Sequence, residues 1–398
     1  MPRWNQAVIA TLLFTVTIAA DRARIDESRR LVAEARQAYQ AKDYPVFLEK
    51  VRAASDLRPT QPTLRYYLAA AQALAGKTDD AIESLEHIAS MGMVYTPENE
   101  PDFAALAESP RFQRVVERFR CNARPQGTGR VAARLNQAGI IPEGLARDER
   151  RDVFFLSSVK NGDIWRITPR SASRLVEGYP LAIMGLAFDP KRNVIWAAAA
   201  GLPEREGLKP EDEGRGALIA VDGKSGKIVH ELEVPGPDAH LIGDIAISPR
   251  GDVVATDSRS NEVYRIHNGL VTIFTSGPFV SLQGIAWSPD ARSIYVADYS
   301  QGIFRIDEGT GDARLLATPP GQTLLGIDGI YFADERVLIA VQNGTNPNRI
   351  LQLTFDRAGE IWSVVTESPK MPRMRAAETS PGVPGVMAKP SKNGGSAM

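Results

Sequence analysis

Polar side chains occupy the same place in three of five short repeated segments in the second half of the sequence. Each segment pairs a glycine with the start of an apolar run, and the residues that open the five segments are Glu143, Met184, Gly243, Gln283 and Asp328. Two carboxylates and a carboxamide form an all-oxygen ligand set, which hard divalent cations such as calcium and magnesium prefer. A polar residue beside glycine also caps turns through its own backbone, so the spacing alone leaves both interpretations open.

The runs that follow these positions indicate how the side chains are held. An apolar run, a turn and a second apolar run recur, as in residues 245–247 and 253–256, and three units continue with a further run that ends in Arg-Ile. The unit starts lie 41, 59, 40 and 45 residues apart. Four short strands per ~40–50 residues are typical of β-propeller blades. The sequence therefore predicts a mainly β fold, a β-propeller with five clear blades, built on a six-bladed design with an incomplete last blade. A β-sandwich is the rival, although it does not require repetition in phase.

In a propeller, the first strand of each blade lines the central channel and the second strand returns to the same face. We therefore expect the five opening residues to meet at one end of the channel, the mouth. The ends of the second strands add further polar residues to this rim, namely Ser157, Asp257, Asp298, Gln342 and Asn343. The long second interval contains an acidic insertion over residues 202–215, which we expect to overhang the mouth. His240 precedes the third opening residue, and we expect it on the surface.

Residues 140–355 resemble the senescence-marker-protein/gluconolactonase-like family of six-bladed propellers. The matching stretches are Pro142-Glu143-Gly144, Ile294–Asp298 after a Ser-Pro-Asp turn, and Ile327-Asp328-Gly329. The resemblance implies a divalent metal, often calcium, at the channel mouth and hydrolysis of lactones or related esters. It assigns metal binding to Glu143, Gln283 and Asp328, with Asp328 also the catalytic general base.

Two positions depart from the family pattern. The family asparagine of the fourth blade is Gln283 here, one methylene longer, which keeps the oxygen but shifts it. The third blade opens with Gly243-Asp244-Ile245, so a polar contact there is lost or passes to Asp244. We place Asp244, Asp257, Asp298 and Asn343 on the substrate rim of the site.

The first third of the chain has a different periodicity. Apolar residues follow helical spacing from about residue 22 to residue 120, and a self-match at 35 residues aligns Asp43-Tyr44 with Thr78-Asp79. This period is close to that of tetratricopeptide repeats, so one to two such repeats are predicted. The repeats either bind a partner or pack on the neighbouring domain.

The N-terminus has the features of an export signal. Arg3 precedes an apolar run over residues 7–20 that ends in small residues, and the run is shorter than the ~20 residues that a membrane-spanning helix needs. A retained membrane anchor is the alternative. The expected location is therefore extracytoplasmic, periplasmic or secreted.

Composition excludes several classes of protein. The formal net charge of −1 gives no reason to expect nucleic acid, or a membrane surface beyond the export signal, as a partner. The single cysteine rules out an internal disulfide and a cysteine-based metal cage.

The predicted organisation is an export signal over 1–20, a tetratricopeptide-like domain over 21–122, a linker over 123–129, a propeller over 130–368 and a disordered tail over 369–398. The first functional hypothesis is an exported hydrolase that uses a divalent metal on a lactone or similar ester. The second is a non-catalytic propeller and helical-repeat protein that binds a protein or a small ligand. A third is a shortened family member whose ring closes imperfectly, with residues 130–135 as a strand that closes an edge.

Overall fold

The structure, a computed structural model, describes residues 4–125, 131–236 and 238–367, with side chains from residue 22 to residue 366 within those ranges. The chain divides into two compact units, a helical one over Ala23–Ala123 and a β-sheet one that begins at Arg124 and also includes the described backbone up to Arg22. The predicted tail over 369–398 and most of the predicted linker lie outside the described residues. The predicted export signal is described only as backbone, from residue 4 onward.

The described residues before the propeller form five α-helices and two short 3-10 helices. The α-helices are α1 (Trp4–Gln40), α2 (Tyr44–Leu57), α3 (Pro62–Leu74), α4 (Thr78–Ser90) and α5 (Pro110–Asn122), and the 3-10 helices are Pro97–Asn99 and Pro101–Leu106. Asp43 and Ser109 begin α2 and α5 as caps, since their side chains accept hydrogen bonds from backbone amides of the first turn. No helix among the described residues is long and apolar enough to cross a membrane. The tetratricopeptide likeness stays a prediction.

The second unit is a β-propeller of five four-stranded blades in the described residues. Blade 1 comprises β1 (Pro142–Asp148), β2 (Val153–Ser158), β3 (Asp163–Ile167) and β4 (Ala172–Val176). Blade 2 comprises β5 (Ala182–Asp189), β6 (Val194–Ala200), β7 (Gly216–Asp222) and β8 (Ile228–Glu233), with a 3-10 helix at Pro210–Asp212. Blade 3 comprises β9 (Ile242–Ile247), β10 (Val253–Asp257), β11 (Glu262–His267) and β12 (Leu270–Thr275). Blade 4 comprises β13 (Leu282–Trp287), β14 (Ser293–Asp298), β15 (Gly302–Asp307) and β16 (Ala313–Leu315). Blade 5 comprises β17 (Ile327–Asp334), β18 (Val337–Gln342), β19 (Arg349–Phe355) and β20 (Ile361–Glu367).

Each blade is an antiparallel meander, so its strands pair in chain order. Short turns join the strands, as the repeated Gly, Asp and Ser of the sequence require. The core lies between blades, where alternate residues of facing sheets interdigitate. Phe155 of blade 1 and Ile195 and Ile219 of blade 2, for example, belong to one buried cluster.

Over the described residues, the ring of five blades is open on one side. The first strands pack in succession, β1 on β5, β5 on β9, β9 on β13 and β13 on β17. Among the described residues, β17 and β1 make no comparable contact. The fold is therefore a five-bladed propeller over the described residues, and the six-bladed design stays a prediction.

The strand predicted over residues 130–135 is wrong for its described part, residues 131–135. Their backbone has no sheet partner, and Val131 is 64% exposed. The run offers only two large apolar side chains, which is too few for a strand that must bury one face.

Candidate functional site

The first strands of the blades approach one another closely at the channel mouth because glycine occupies key positions. A Cβ atom on Gly144 would collide with the carbonyl oxygen of Met184 in blade 2. A Cβ atom on Gly284 would likewise collide with the carbonyl oxygen of Asp328 in blade 5. The residues that open these strands are thereby drawn towards the channel axis.

Glu143 and Asp328 lie at this mouth as two like charges. Burial of the carboxyl group, and then the negative charges of Asp328 and Asp244, raise the pKa of Glu143 to about 7. Glu143 remains exposed to solvent because its group lies in a concave channel, reachable by water but surrounded by protein on most sides. Burial also raises the pKa of Asp328, against the effect of a hydrogen bond from Asn343. Within the described part of the chain, no cationic side chain pairs with either carboxylate.

Asn343 is the nearest polar partner of Asp328. Its side-chain amide donates a hydrogen bond of 2.6 Å to Oδ2 of Asp328, from the residue that follows β18. The structure therefore places Asn343, which was expected on the rim, beside Asp328. This hydrogen bond engages Oδ2 of Asp328, so Oδ1 is the oxygen left to accept another donor or a cation.

Gln283 is half-buried and lines the same channel as Glu143 and Asp328. Its main-chain carbonyl accepts a hydrogen bond of 2.7 Å from the hydroxyl of Thr256 in blade 3. The backbone of Gln283 is thus anchored to the neighbouring blade. An anchored backbone restricts where its longer amide can reach.

Asp244 has a different environment from the other carboxylates. Its Oδ1 accepts a 2.9 Å hydrogen bond from the amide of Ile245, and its Oδ2 accepts a 3.2 Å one from the amide of Ile285 in blade 4. Burial raises the pKa of Asp244 to about 7, although both of these hydrogen bonds lower it. The carboxylate that stands where other blades have glycine therefore joins blade 3 to blade 4.

Two buried hydroxyls make the corresponding connections from the second strands. Ser157 accepts a hydrogen bond from the amide of Gly144 and donates one of 2.6 Å to the carbonyl of Met184. Thr256 does the same between Asp244 and Gln283. The sequence signal for this role is a hydroxyl at the same place in the second strand of blades 1 and 3. Ser157 was expected only as a rim residue, and Thr256 was not among the expected site residues.

Asp257 and Asp298 were expected on the substrate rim. Both are fully buried, and their carboxylates accept hydrogen bonds from backbone amides. Asp257 accepts hydrogen bonds from the amides of Leu241, Arg259 and Ser260. Asp298 does so from the amides of Val280, Ser281 and Ser300. Their oxygens are consumed in a corner where the segment before the first strand meets the turn after the second strand. The structure therefore places them apart from the Glu143 and Asp328 pair.

His240 is buried and not on the surface as expected. It is 6% exposed, and its Nδ1 lies 2.8 Å from Oδ2 of Asp257. The imidazole packs edge-on against Tyr264, which explains its burial. The expectation failed because a histidine in an irregular segment gives no periodic signal of burial.

The acidic insertion of blade 2 forms a closed loop. The amide of Gly201 bonds to the carbonyl of Arg215, and the amide of Gly214 bonds to the carbonyl of Gly201, so its two ends are joined. Asp212 is buried against Arg215. None of residues 202–215 is among those that line the channel cavity.

A cavity of about 1020 Å³ begins at the mouth and includes Glu143, Gln283 and Asp328 in its wall. Two carboxylates and a carboxamide in one wall are oxygen donors of the kind that calcium and magnesium take. Two carboxylates at one channel mouth, without a cationic partner in the described residues, also have uncompensated charge that a divalent ion would neutralise. No cluster of three or more His, Cys, Asp or Glu suited to a metal occurs among the described residues. The donor set fits a hard divalent cation through these two carboxylates, supplemented by neutral oxygens.

Comparisons with known proteins identify no family. No family model matches the chain, and no curated protein matches it. Similar solved structures include virginiamycin B lyase from Staphylococcus aureus (18% identity, 60% of this chain, 73% of that chain, TM-score 0.44). A gluconolactonase from Xanthomonas campestris shares 18% identity over 58% of this chain and 76% of its own, with a TM-score of 0.43. Regucalcin, a calcium-binding protein from Agrobacterium tumefaciens, shares 15% identity over 56% of this chain and 74% of its own, with a TM-score of 0.42. The likeness concerns the fold alone.

Proposed function

We propose that this propeller is a hydrolase of a lactone or similar ester that depends on a divalent cation, most simply calcium. The observation that carries the proposal is the pair formed by Glu143 and Asp328, two carboxylates with raised pKa values and no cationic partner in the described residues, at the mouth of a large channel. Glu143, Asp328 and the amide oxygen of Gln283 would hold the cation. A divalent cation bound there supplies Lewis-acid polarisation of the ester carbonyl.

Asp328 is the catalytic base in this proposal. Its raised pKa brings proton affinity closer to neutral pH, which suits a group that accepts a proton from water. As water attacks the carbonyl carbon, Asp328 takes one of its protons. The ring C–O bond then breaks, and the same proton passes to the leaving alkoxide, which gives a hydroxy acid. Asn343 positions Asp328 by holding Oδ2 through its amide.

A titration of released acid tests the proposal with simple γ- and δ-lactones as substrates. Hydrolysis is expected with calcium or magnesium present, and is expected to fall by at least 100-fold in Asp328→Asn and with a chelator. Glu211→Gln, at an exposed position in the blade 2 insertion, is the matched control that retains activity. Equal hydrolysis by the wild type and by Asp328→Asn would contradict the assignment.

A second candidate function is a non-catalytic propeller that binds a protein or a small ligand, with the helical unit as the docking surface. Asp244 favours it, because the third acidic residue of the mouth is committed to backbone amides and the described residues contain no cluster of three acidic ligands. Binding of a lactone without turnover would support this function over the first.

The proposal also covers the location of the protein and the family to which it belongs. The apolar run before residue 21 supports export to an extracytoplasmic compartment, or anchoring if the run is retained. The Glu143 and Asp328 positions support membership of the gluconolactonase-like family. N-terminal sequencing of the protein isolated from its native host tests the first point, since a cleaved signal moves the first residue beyond residue 20.

A further inference from the structure

The open side of the ring exposes faces that are buried in the other blades. Residue 331 is the second residue after the opening glycine of blade 5, and the other four blades have alanine at the equivalent position, at Ala146, Ala187, Ala246 and Ala286. Alanine suits those positions because the next blade packs closely on them. Blade 5 has Tyr331 instead, 59% exposed. This side chain is too large for the spacing that separates the other blades.

The second strand of blade 5 shows the same change. Val341 of β18 is 40% exposed. Its counterparts in the other four blades are all fully buried, namely Ser157, Ala198, Thr256 and Ala297. Blade 5 thus presents an apolar face where the other blades have a packed interface.

Blade 1 supplies the opposite wall. Leu145 is 61% exposed, whereas Leu186, Ile285 and Ile330 hold the equivalent position in blades 2, 4 and 5 and are buried. Phe154 of β2 lies on the same face and is partly exposed. The two walls, Leu145 with Phe154 and Tyr331 with Val341, define a lateral cleft between blades 1 and 5.

The lateral cleft is continuous with the channel mouth. Leu145, Phe154, Tyr331 and Val341 line the same cavity of about 1020 Å³ as Glu143 and Asp328. A ligand with its carbonyl group at the carboxylates can therefore extend an apolar arm between the blades without leaving the cavity. A polar group at one end and apolar walls beside it are typical of a small-molecule site.

We propose that the lateral cleft binds the apolar arm of an amphipathic ligand, a lactone or ester with a medium-length alkyl or aryl substituent, whose polar group lies at Glu143 and Asp328. This inference rests on the proposed function for the position of the polar group, but the cleft and its walls are independent of any metal. Sugar lactones, polar over their whole surface, would leave the walls unpaired. The continuity of the cavity favours a small-molecule arm over a protein segment as its occupant.

Equilibrium binding tests the cleft separately from catalysis. Calorimetric titration of the full chain with γ-lactones that carry alkyl chains of two to eight carbons, with a chelator present, is expected to give about fourfold tighter binding per added methylene, since each buried methylene contributes ~0.8 kcal/mol. The same Kd series is then measured on Tyr331→Ser. This variant removes the ring and is expected to weaken binding of the longest lactone by about tenfold. Trp362→Ala, on the exposed edge strand β20 and outside the cavity wall, is the control and leaves the series unchanged.

Four results would overturn the inference. Three of them are a Kd that does not depend on chain length, a Tyr331→Ser variant with wild-type affinities, and binding that occurs only after deletion of residues 368–398, which would make the tail the occupant of the cleft. A stable dimer in light scattering that Tyr331→Arg dissociates would make a second copy the occupant and would also overturn it. Chain-length-dependent binding without hydrolysis would contradict the proposed function and leave the cleft supported, so the two failures are distinguishable.

Discussion

Glu143→Gln should make the propeller more stable at alkaline pH and leave it unchanged at acid pH. The pKa of Glu143 rises from 4.5 to about 7 in the folded state. Between these values the folded protein keeps a proton that the unfolded chain has lost, so stability falls as pH rises through this window. Glutamine removes the ionisation, and within the described residues the Glu143 side chain has no hydrogen bond to lose.

The size of the effect follows from the shift. The rise in the pKa of Glu143 from 4.5 to about 7 corresponds to about 3 kcal/mol of stability if solvent screening is ignored. Because the side chain is exposed, solvent screening reduces this to about 1 kcal/mol. For a unit of this size, 1 kcal/mol corresponds to a change in Tm of ~2–4 °C.

Thermal unfolding followed by circular dichroism with a chelator present measures the effect. The Tm of Glu143→Gln is expected to equal that of the wild type at pH 4.5 and to exceed it by ~2–4 °C at pH 8. Saturating calcium should abolish the difference at pH 8 by stabilising the wild type. Glu211→Gln, with an exposed side chain, provides the control. A Tm difference of the same size at both pH values would refute the electrostatic reasoning.

Three further variants test the architecture around the mouth. Thr256→Val removes the hydroxyl between the amide of Asp244 and the carbonyl of Gln283. A urea titration should show that the free energy of unfolding falls by about 2 kcal/mol. An unchanged midpoint would contradict the connection between blades. Asp257→Ala leaves three backbone amides without an acceptor and should cost about 3 kcal/mol in the same titration, unless the corner closes without them. Gly284→Ala places a Cβ against a carbonyl oxygen and should cost ~1–3 kcal/mol; a fully stable variant would show that the first strands can move apart.

The repeat made the propeller predictable from sequence. The predicted second strands, such as residues 253–256 and 294–297, lie within β10 and β14. A glycine beside an apolar run, repeated at regular intervals, is a local signal, and in blades 1, 2 and 4 its cause is the close approach of the first strands, which leaves no room for a Cβ atom. The open side of the ring was less accessible to prediction, because it depends on which faces find a partner and not on the pattern of any one strand.

The individual roles of the acidic residues could not be predicted in the same way. Asp244, Asp257 and Asp298 are all acidic residues near strand ends, yet the structure commits their oxygens to backbone amides. Within the described residues, the side chains of Glu143 and Asp328 accept no hydrogen bond from a backbone amide. That distinction depends on the path of neighbouring segments, which are distant in sequence, so residue type and spacing alone could not separate the two groups.

Tyr331 shows what the sequence contained but periodicity did not reveal. The change from alanine to tyrosine at a repeated position is visible in the sequence. Its meaning depends on the face that each blade presents to the next. Only the structure shows that this face is covered in blades 1 to 4 and exposed in blade 5.

Calorimetric titration with calcium at pH 7.5 tests the central claim, that Glu143 and Asp328 form a divalent-cation site. We expect one site in the wild-type chain and in Glu211→Gln, and a loss of affinity of at least 100-fold in the double variant Glu143→Gln, Asp328→Asn. Binding should also weaken towards pH 5, as protons compete for the two carboxyl groups. Absence of binding in the wild type, or unchanged affinity in the double variant, would contradict the claim.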